Sequence, residues 1–532
     1  MTTQDTKTMS YAPLVLLILD GWGISAKKKG NPFTTARTPV YTHLWTTQPH
    51  TRLTAHGRAV GLPENQPGNS EAGHSNIGAG RIVLQDVVYI SRSINDGTFF
   101  KNPALIEAIH HARRNKSRVH IMGLLGNENS PHADPDHLLA LLTLLRESGT
   151  RTPVLHLFTD GRDSPPYKSL EFYHKLERSF HNGETVGTIM GRAWAMDRRG
   201  SWKRTAAAYR ALVYGEGRYA TSVEDAIAQS YQHGESNEFI TPTIITNAKK
   251  TIRTTIQEND SLIFYNLRSD RARQLTKAFM LPNMPNAYTK LLGRKRTLLH
   301  NVRFVAMTDF GPDLPNVLTA FPSRDVPKCL PYVLQNKRQL YIAEAEKFAH
   351  VTYFLNGGYD HPVGGEDRVM IKSPDIIHYD RHPEMQLSKL TNILVQHLKR
   401  KTYDVLVANF PNADMLGHTG LYEAGVKGIE AVDRALAQIR KVIQKAHGTL
   451  IVTADHCNVE EMGSEDMAGM ITQHSCNPVP FIIADYRGTI APYTLKKYGI
   501  LADIAPTILE VLNMQQPREM TGKSLIKASK VK

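Results

Sequence analysis

Cysteine is scarce in this sequence, with only Cys329, Cys457 and Cys476 among 532 residues. So few thiols cannot build a disulfide framework, which leaves apolar burial to hold the fold and suits a reducing compartment. Long apolar runs are also missing. None approaches the roughly 20 residues that span a bilayer, and Leu14–Leu19, the longest near the start, is too short for a secretory signal. Together these absences predict a soluble, cytoplasmic protein. Acidic residues are outnumbered: 50 Asp plus Glu face 64 Lys plus Arg, a net charge of +14. Such an excess suits nucleic acid, acidic lipid or anionic metabolites. The basic clusters Lys27–Lys29, Arg294–Arg296 and Lys399–Lys401 are short and lack interleaved aromatics, so they read as solvated faces. Neither a nucleic-acid nor a membrane partner is expected.

The chain does have the composition of an ordinary globular protein, 41% hydrophobic and 21% charged, and a length beyond what one core usually organises. One unit recurs along it: a short apolar run, a polar or glycine-bearing turn, then a helical stretch. That pattern predicts an α/β fold of two domains, each a three-layer sandwich around a mostly parallel sheet. Ligands in such folds collect beyond the carboxyl ends of strands. Leu14–Leu19 runs into Asp20-Gly-Trp-Gly, Tyr403–Asn409 is followed by Asp414 and His418, and Leu450–Thr453 runs into Asp455-His456. In the middle of the chain arginines take these places: Arg162 beside Asp163 after Val154–Phe158, Arg192 after Val186–Met190, and Arg268 and Arg271 after Leu262–Leu267. The expected organisation is a discontinuous metal-binding domain, 1–84 with 321–532, interrupted by an arginine-rich substrate domain at 85–320. Connectors near 81–86 and 320–327 would act as hinges.

Asp414 and His418, four apart, would share one face of a helix and one ion. Either this pair or Asp455-His456 is unremarkable alone. Together with Asp20 and His474 they make three carboxylates and three imidazoles past strand ends of one domain, more than one ion needs, so two divalent ions are expected. Ser70 stands in the glycine-rich stretch Gly68-Asn-Ser70-Glu-Ala-Gly-His74, which opens a helix. The plain reading is an N-cap. Beside two cations, and at a helix N-terminus that favours phosphate, the same hydroxyl is a nucleophile for displacement at phosphorus.

Leu19-Asp-Gly-Trp-Gly23, Gly68–His74, Asp160-Gly-Arg-Asp163, Asn412-Ala-Asp-Met-Leu-Gly-His-Thr-Gly420 and Thr453-Ala-Asp-His456 together resemble the cofactor-independent phosphoglycerate mutases of the alkaline-phosphatase-like superfamily, nearly end to end. The resemblance implies an isomerase that interconverts 3- and 2-phosphoglycerate in glycolysis and gluconeogenesis without bisphosphoglycerate, acting as a monomer. It implies Mn²⁺, with Mg²⁺, Co²⁺ or Zn²⁺ as alternatives, and a transferase domain inserted into a phosphatase domain. Ser70 would be the phosphoserine nucleophile. One metal would be held by Asp414, His418 and His474, and the other by Asp20, Ser70, Asp455 and His456. His132, Arg162, Asp163, Arg192, Arg198, Arg268 and Arg271 would contact the phosphoglycerate, with Lys347 beside the transferring phosphate. Guanidinium forks suit carboxylate and phosphate on physical grounds. Asp163 and His132 are expected to move protons at the substrate hydroxyls.

The sequence departs from the family pattern at 126–134, where Asp134 replaces a second histidine while His132 keeps its spacing from His137. Cys457 follows two ligands directly where glycine is usual, and Cys476 lies two past His474; both read as small buried filler, with sensitivity to oxidation as the sharper alternative. Two rivals remain. A metal-dependent phosphatase or phosphopentomutase would share the metal domain, but Asp160–Asp163 and the paired arginines argue against it. A non-catalytic basic binding protein has only the net charge in its favour.

Overall fold

A computed structural model describes residues 11–127, 130–197, 200–246, 254–292, 298–314, 316–373, 379–463, 471–488 and 494–527. Arg198 and the Arg294–Arg296 cluster lie outside them, as do positions 128 and 129 of the departing loop. The chain divides into two compact units, 1–85 with 324–532, and 86–323. Where the chain leaves and re-enters the first unit, Arg324 Nη2 donates to Leu84 O (2.9 Å) and Arg81 Nη2 to Pro327 O (2.9 Å). Among the described residues no helix is long and apolar enough to cross a membrane.

The fold class is the expected one: each unit is a mixed, mostly parallel sheet of eight strands with helices on both faces. In the first unit the strands lie in the order Asp367–Ile371, Gln339–Glu344, Val405–Phe410, Leu14–Leu19, Thr449–Thr453, Val479–Asp485, His50–Thr54, Tyr498–Ile500. Leu14–Leu19 is therefore central, parallel to Val405–Phe410 on one side and Thr449–Thr453 on the other. All six of its residues are buried, which is why it reads as an unbroken apolar run rather than an alternating one. The helix Tyr422–Lys445 shows the complementary pattern. Its buried Val432, Leu436, Ile439 and Ile443 recur every three or four residues and face the core, while its lysines face water. Each such aliphatic side chain contributes about 1.5–3 kcal/mol when buried.

The second unit orders its strands Val317–Phe321, Arg303–Thr308, Ser261–Phe264, Val119–Leu125, Val154–Thr159, Thr185–Gly191, Thr243–Ile245, Arg218–Ala220, with Thr243–Ile245 antiparallel to Thr185–Gly191. Through its core runs a buried polar chain from Asp260, just ahead of Ser261–Phe264, across three adjacent strands. His120 Nε2 meets Asp260 Oδ2 at 3.1 Å, His120 Nδ1 meets His156 Nε2 at 2.9 Å, and His156 Nδ1 meets Thr188 Oγ1 at 2.9 Å. Burial, then the neighbouring His120, hold the pKa of His156 well below its ordinary value.

A histidine depressed in the folded state binds its proton more readily unfolded. Its contribution to stability is complete above about pH 6.5 and is lost as the pH falls below that value. Thermal melts at pH 7.5 and pH 5 will show a smaller acid-induced drop in Tm for His156→Gln than for the wild-type chain; an equal drop would exclude this histidine as a source of acid lability.

Candidate active site

Three adjacent strands of the first unit each lead to a carboxylate at the same sheet edge. Asp20 directly follows Leu14–Leu19, Asp414 sits in the short helix Asn412–Gly417 after Val405–Phe410, and Asp455 lies two residues past Thr449–Thr453. Gly21, at φ +75°, lets the chain turn against Asp414: a Cβ there would stand 2.6 Å from the Asp414 Cα. The turn is secured by Asp414 N donating to Asp20 O (2.9 Å). Ser70 opens the helix Ser70–Ala79, and Asn69 caps it by accepting from Ala72 N at 2.9 Å. At Gly73 a Cβ would fall 2.7 Å from the Asp455 Cβ, so only glycine lets this helix lie against the acidic loop.

Lys347 is the hub. Its buried ammonium donates to Asp20 Oδ1 (2.7 Å), Asp414 Oδ2 (2.6 Å) and Ser70 Oγ (2.8 Å). Ser70 Oγ also lies 3.0 Å from His456 Nε2 and 3.3 Å from Asp20 Oδ1. Burial opposes charge on Lys347, yet Asp20, Asp414 and Asp455 raise its pKa, and in return it holds Asp20 and Asp414 far below the usual carboxylate range despite their own burial. Burial likewise opposes charge on His456, but Asp455, Asp414 and Asp20 push its pKa up to about 10. The cluster is a strong trap for cations.

The side chains fit two metal ions. Donor atoms of Asp414, His418 and His474 converge in one group, and those of Asp20, Asp455 and His456 in another. The imidazoles are held for ligation. His418 Nδ1 faces Thr472 O (2.8 Å), His474 Nδ1 faces Gly68 O (2.7 Å) and His456 Nδ1 faces Cys457 O (3.3 Å). Each carbonyl takes an Nδ1–H and points Nε2 inward, where ligation by a cation displaces any proton that nitrogen carries. His418 Nε2 and His474 Nε2 stand 3.1 Å apart, at 3.3 and 3.2 Å from Asp414 Oδ1. A cation satisfies all three. Asp455 Oδ2 is buried, with His74 Nδ1 3.2 Å and His456 Nε2 3.6 Å away.

In the second unit Asp160 organises the loop that carries Arg162 and Asp163. Its Oδ1 accepts from Arg162 N and Asp163 N, both at 3.2 Å, and from Arg192 Nη1 at 2.6 Å. Arg192, buried at the end of Thr185–Gly191, also donates to Asp163 Oδ2. Burial works against its charge, but Asp163 and Asp160 hold it protonated, and its Nε and Nη2 remain buried without a partner among the described residues. An anion supplies what those donors lack. His132 Nε2 lies 3.7 Å from Asp163 Oδ2, and His132 O accepts from Leu267 N at 2.7 Å, which ties the departing loop to the segment ahead of Arg268. Asp134, in the place of the family's second histidine, caps the helix Pro135–Glu147 by accepting from Asp136 N. A polar cavity of about 260 Å³ is lined by Arg162, Arg271, Met196, Asp197, Arg204 and Glu238 among others. Arg268 is the N-cap residue of the helix that carries Arg271.

The positioning residues were not singled out from sequence. Asn409 Nδ2 donates to Asp20 Oδ2 (2.6 Å), His74 Nδ1 lies 3.2 Å from Asp455 Oδ2, and Asn458 Nδ2 donates to Asp414 Oδ1 (2.8 Å). Asn409 had a signal, a polar residue inside an apolar strand; Arg204 had none. Cys457 is buried, donates to Asn477 O, and has its thiol pKa raised by burial and by Glu460, which disfavours the reactive thiolate. Cys476 is exposed, against the expectation of buried filler.

A profile of the Metalloenzyme superfamily matches residues 12–516, and the chain belongs to that superfamily. Within it, the 2,3-bisphosphoglycerate-independent phosphoglycerate mutase of Clostridium kluyveri is 44% identical over 98% of this chain and 100% of its own length. The mutase 1 of Methanosarcina barkeri is 44% identical over 98% and 99%. The phosphoglycerate mutase of Leishmania mexicana, crystallised at low cobalt concentration, superposes with a TM-score of 0.78 at 26% identity, over 98% of this chain and 99% of that one. The chain thus belongs to the 2,3-bisphosphoglycerate-independent phosphoglycerate mutase family.

A site that binds cations only when folded is stabilised by them, by about 2.7 kcal/mol per ion at a concentration 100 times Kd. Adding Mn²⁺ to the metal-stripped protein will raise its Tm. Asp414→Asn will lose about half of that gain, and a Tm indifferent to Mn²⁺ would argue against the metal reading.

Proposed function

We propose that this chain interconverts 3-phosphoglycerate and 2-phosphoglycerate through a phosphoserine intermediate at Ser70, assisted by two divalent ions and without bisphosphoglycerate. The observation that carries the reading is the placement of Ser70 Oγ at a helix N-terminus, bonded to Lys347 and His456 among two groups of metal-ligating side chains. Asp414, His418 and His474 would hold one ion, and Asp20, Asp455, His456 and Ser70 the other. Bound there, divalent ions lower the pKa of a coordinated hydroxyl and offset charge on the transferring phosphoryl group. Mn²⁺ is our expectation for both.

The rest of the chemistry falls to the protein. Lys347 keeps its proton and stabilises negative charge at Ser70 and on an arriving phosphate. The helix that begins at Ser70 presents backbone N–H groups to the same charge. In the second unit Arg162, Arg192, Arg268 and Arg271, with Arg198 outside the described residues, would bind the carboxylate and phosphate of the substrate. Asp163, held by Arg192 and near His132, would take a proton from one substrate hydroxyl and return one to the other. The phosphoryl group passes to Ser70, the glycerate reorients, and the group returns to the alternative oxygen. Water must stay out during that interval, because it would turn the mutase into a phosphatase.

The arginine-lined cavity favours the mutase over the phosphatase, since a phosphatase has no need to hold the leaving alcohol. The test uses metal-stripped protein restored with Mn²⁺, 3-phosphoglycerate as sole substrate and no bisphosphoglycerate. Formation of 2-phosphoglycerate that disappears in Ser70→Ala supports the reading; release of free phosphate instead identifies a hydrolase. Asp163→Asn should lower kcat by about 10²–10⁴-fold, the range of general acid–base assistance, and an unchanged kcat removes Asp163 from proton transfer.

A further inference from the structure

Glu460 is fully buried five residues beyond Asp455, and both of its carboxylate oxygens are engaged. Oε2 accepts from Asn458 N at 3.0 Å, and Oε1 accepts from Ser475 Oγ and from Asn477 Nδ2, the latter at 2.8 Å. These partners come from the segments that carry the metal ligands. Asn458 lies two residues after His456, and its side chain donates to Asp414 Oδ1 (2.8 Å) and Asp414 O (3.2 Å). Ser475 directly follows His474. The Asp20 segment closes on the same carboxyl group, where a Cβ at Gly23 would stand 2.3 Å from Glu460 Cδ. Glu460 thus fastens the Asp455–His456 segment to the His474 segment, and through Asn458 to Asp414. With its oxygens committed to donors and no place in either converging group of ligand atoms, it is not itself a metal ligand.

Ligand loops that must be brought together as an ion binds lose affinity to the ordering they undergo, whereas partners that pre-set them recover it. We propose that Glu460 is a positioning residue that holds the two metal half-sites in register, an inference that rests on the two-ion reading above. Its neighbour Glu461 is the natural control. It is less buried, pairs with Lys27, and reaches only Asn477 of the same set.

The test measures Mn²⁺ binding to metal-stripped protein from the electron paramagnetic resonance of the free aqueous ion, alongside thermal melts of the metal-free proteins. Glu460→Gln should bind at least one of the two ions about 10–100-fold more weakly, as loss of outer-sphere partners typically does. Ser475→Ala, which removes the hydroxyl that joins Glu460 to Asn477 and leaves the carboxylate charge, should weaken binding several-fold, and Glu461→Gln should match wild type. If Glu460→Gln does not fold, Ser475→Ala decides alone. Wild-type Mn²⁺ affinity in the folded variants, even with a lower metal-free Tm, overturns the inference while leaving the proposed function standing. A wild-type chain that binds no Mn²⁺ overturns both.

Discussion

Asp20, Asp414 and Asp455 reach one sheet edge because the strands before them are parallel neighbours, and the repulsion among these buried carboxylates is the constraint on which the rest of the site depends. Two unit charges about 4 Å apart repel by about 4 kcal/mol at an effective dielectric near 20. Several such terms are a large fraction of the 5–15 kcal/mol typical of a folded domain. The surroundings are arranged to offset them. Lys347 bridges two of the carboxylates, His456 lies within 3.2 Å of Asp20, and Asn409 and Asn458 donate to Asp20 and Asp414. The same concentration of negative charge that burdens the fold makes the edge attractive to cations, and in the proposed function such a cation activates the Ser70 hydroxyl.

The second unit solves the opposite problem. Its recurring charge is guanidinium, and a single buried carboxylate, Asp160, orients the loop that carries Arg162 and Asp163 while anchoring Arg192. Arg192 retains unpartnered buried donors after both pairings, which leaves it suited to one more anion. Two units with the same strand-and-helix grammar thus support complementary chemistry because different side chains follow their strands.

Much of this was legible along the chain. Unbroken apolar runs announced strands buried on both faces, and the residues just past them are acids, histidines or arginines, because a parallel sheet offers solvent-facing sites only at its strand ends. Asp20, Asp414 and Asp455, as well as Arg162 and Arg192, were found by that rule. Lys347 was not. It follows Gln339–Glu344 like any short-helix lysine, and a resemblance to a family, rather than its pattern, brought it forward.

The sequence by itself determined the α/β class and the kinds of residue at the strand ends, since burial leaves a local imprint on composition and period. Only the tertiary structure decided which of those ends are neighbours, which nitrogen of each histidine turns inward, and what secures them. Gly68, Thr472 and Cys457 lend backbone carbonyls, and a carbonyl has no residue code to read. Glu460 and Asn409 work across hundreds of residues or between loops, through hydrogen bonds that exist only once both partners have been carried to the same place. Local pattern reports how a segment meets water; it carries no address for the segment it will meet in the fold.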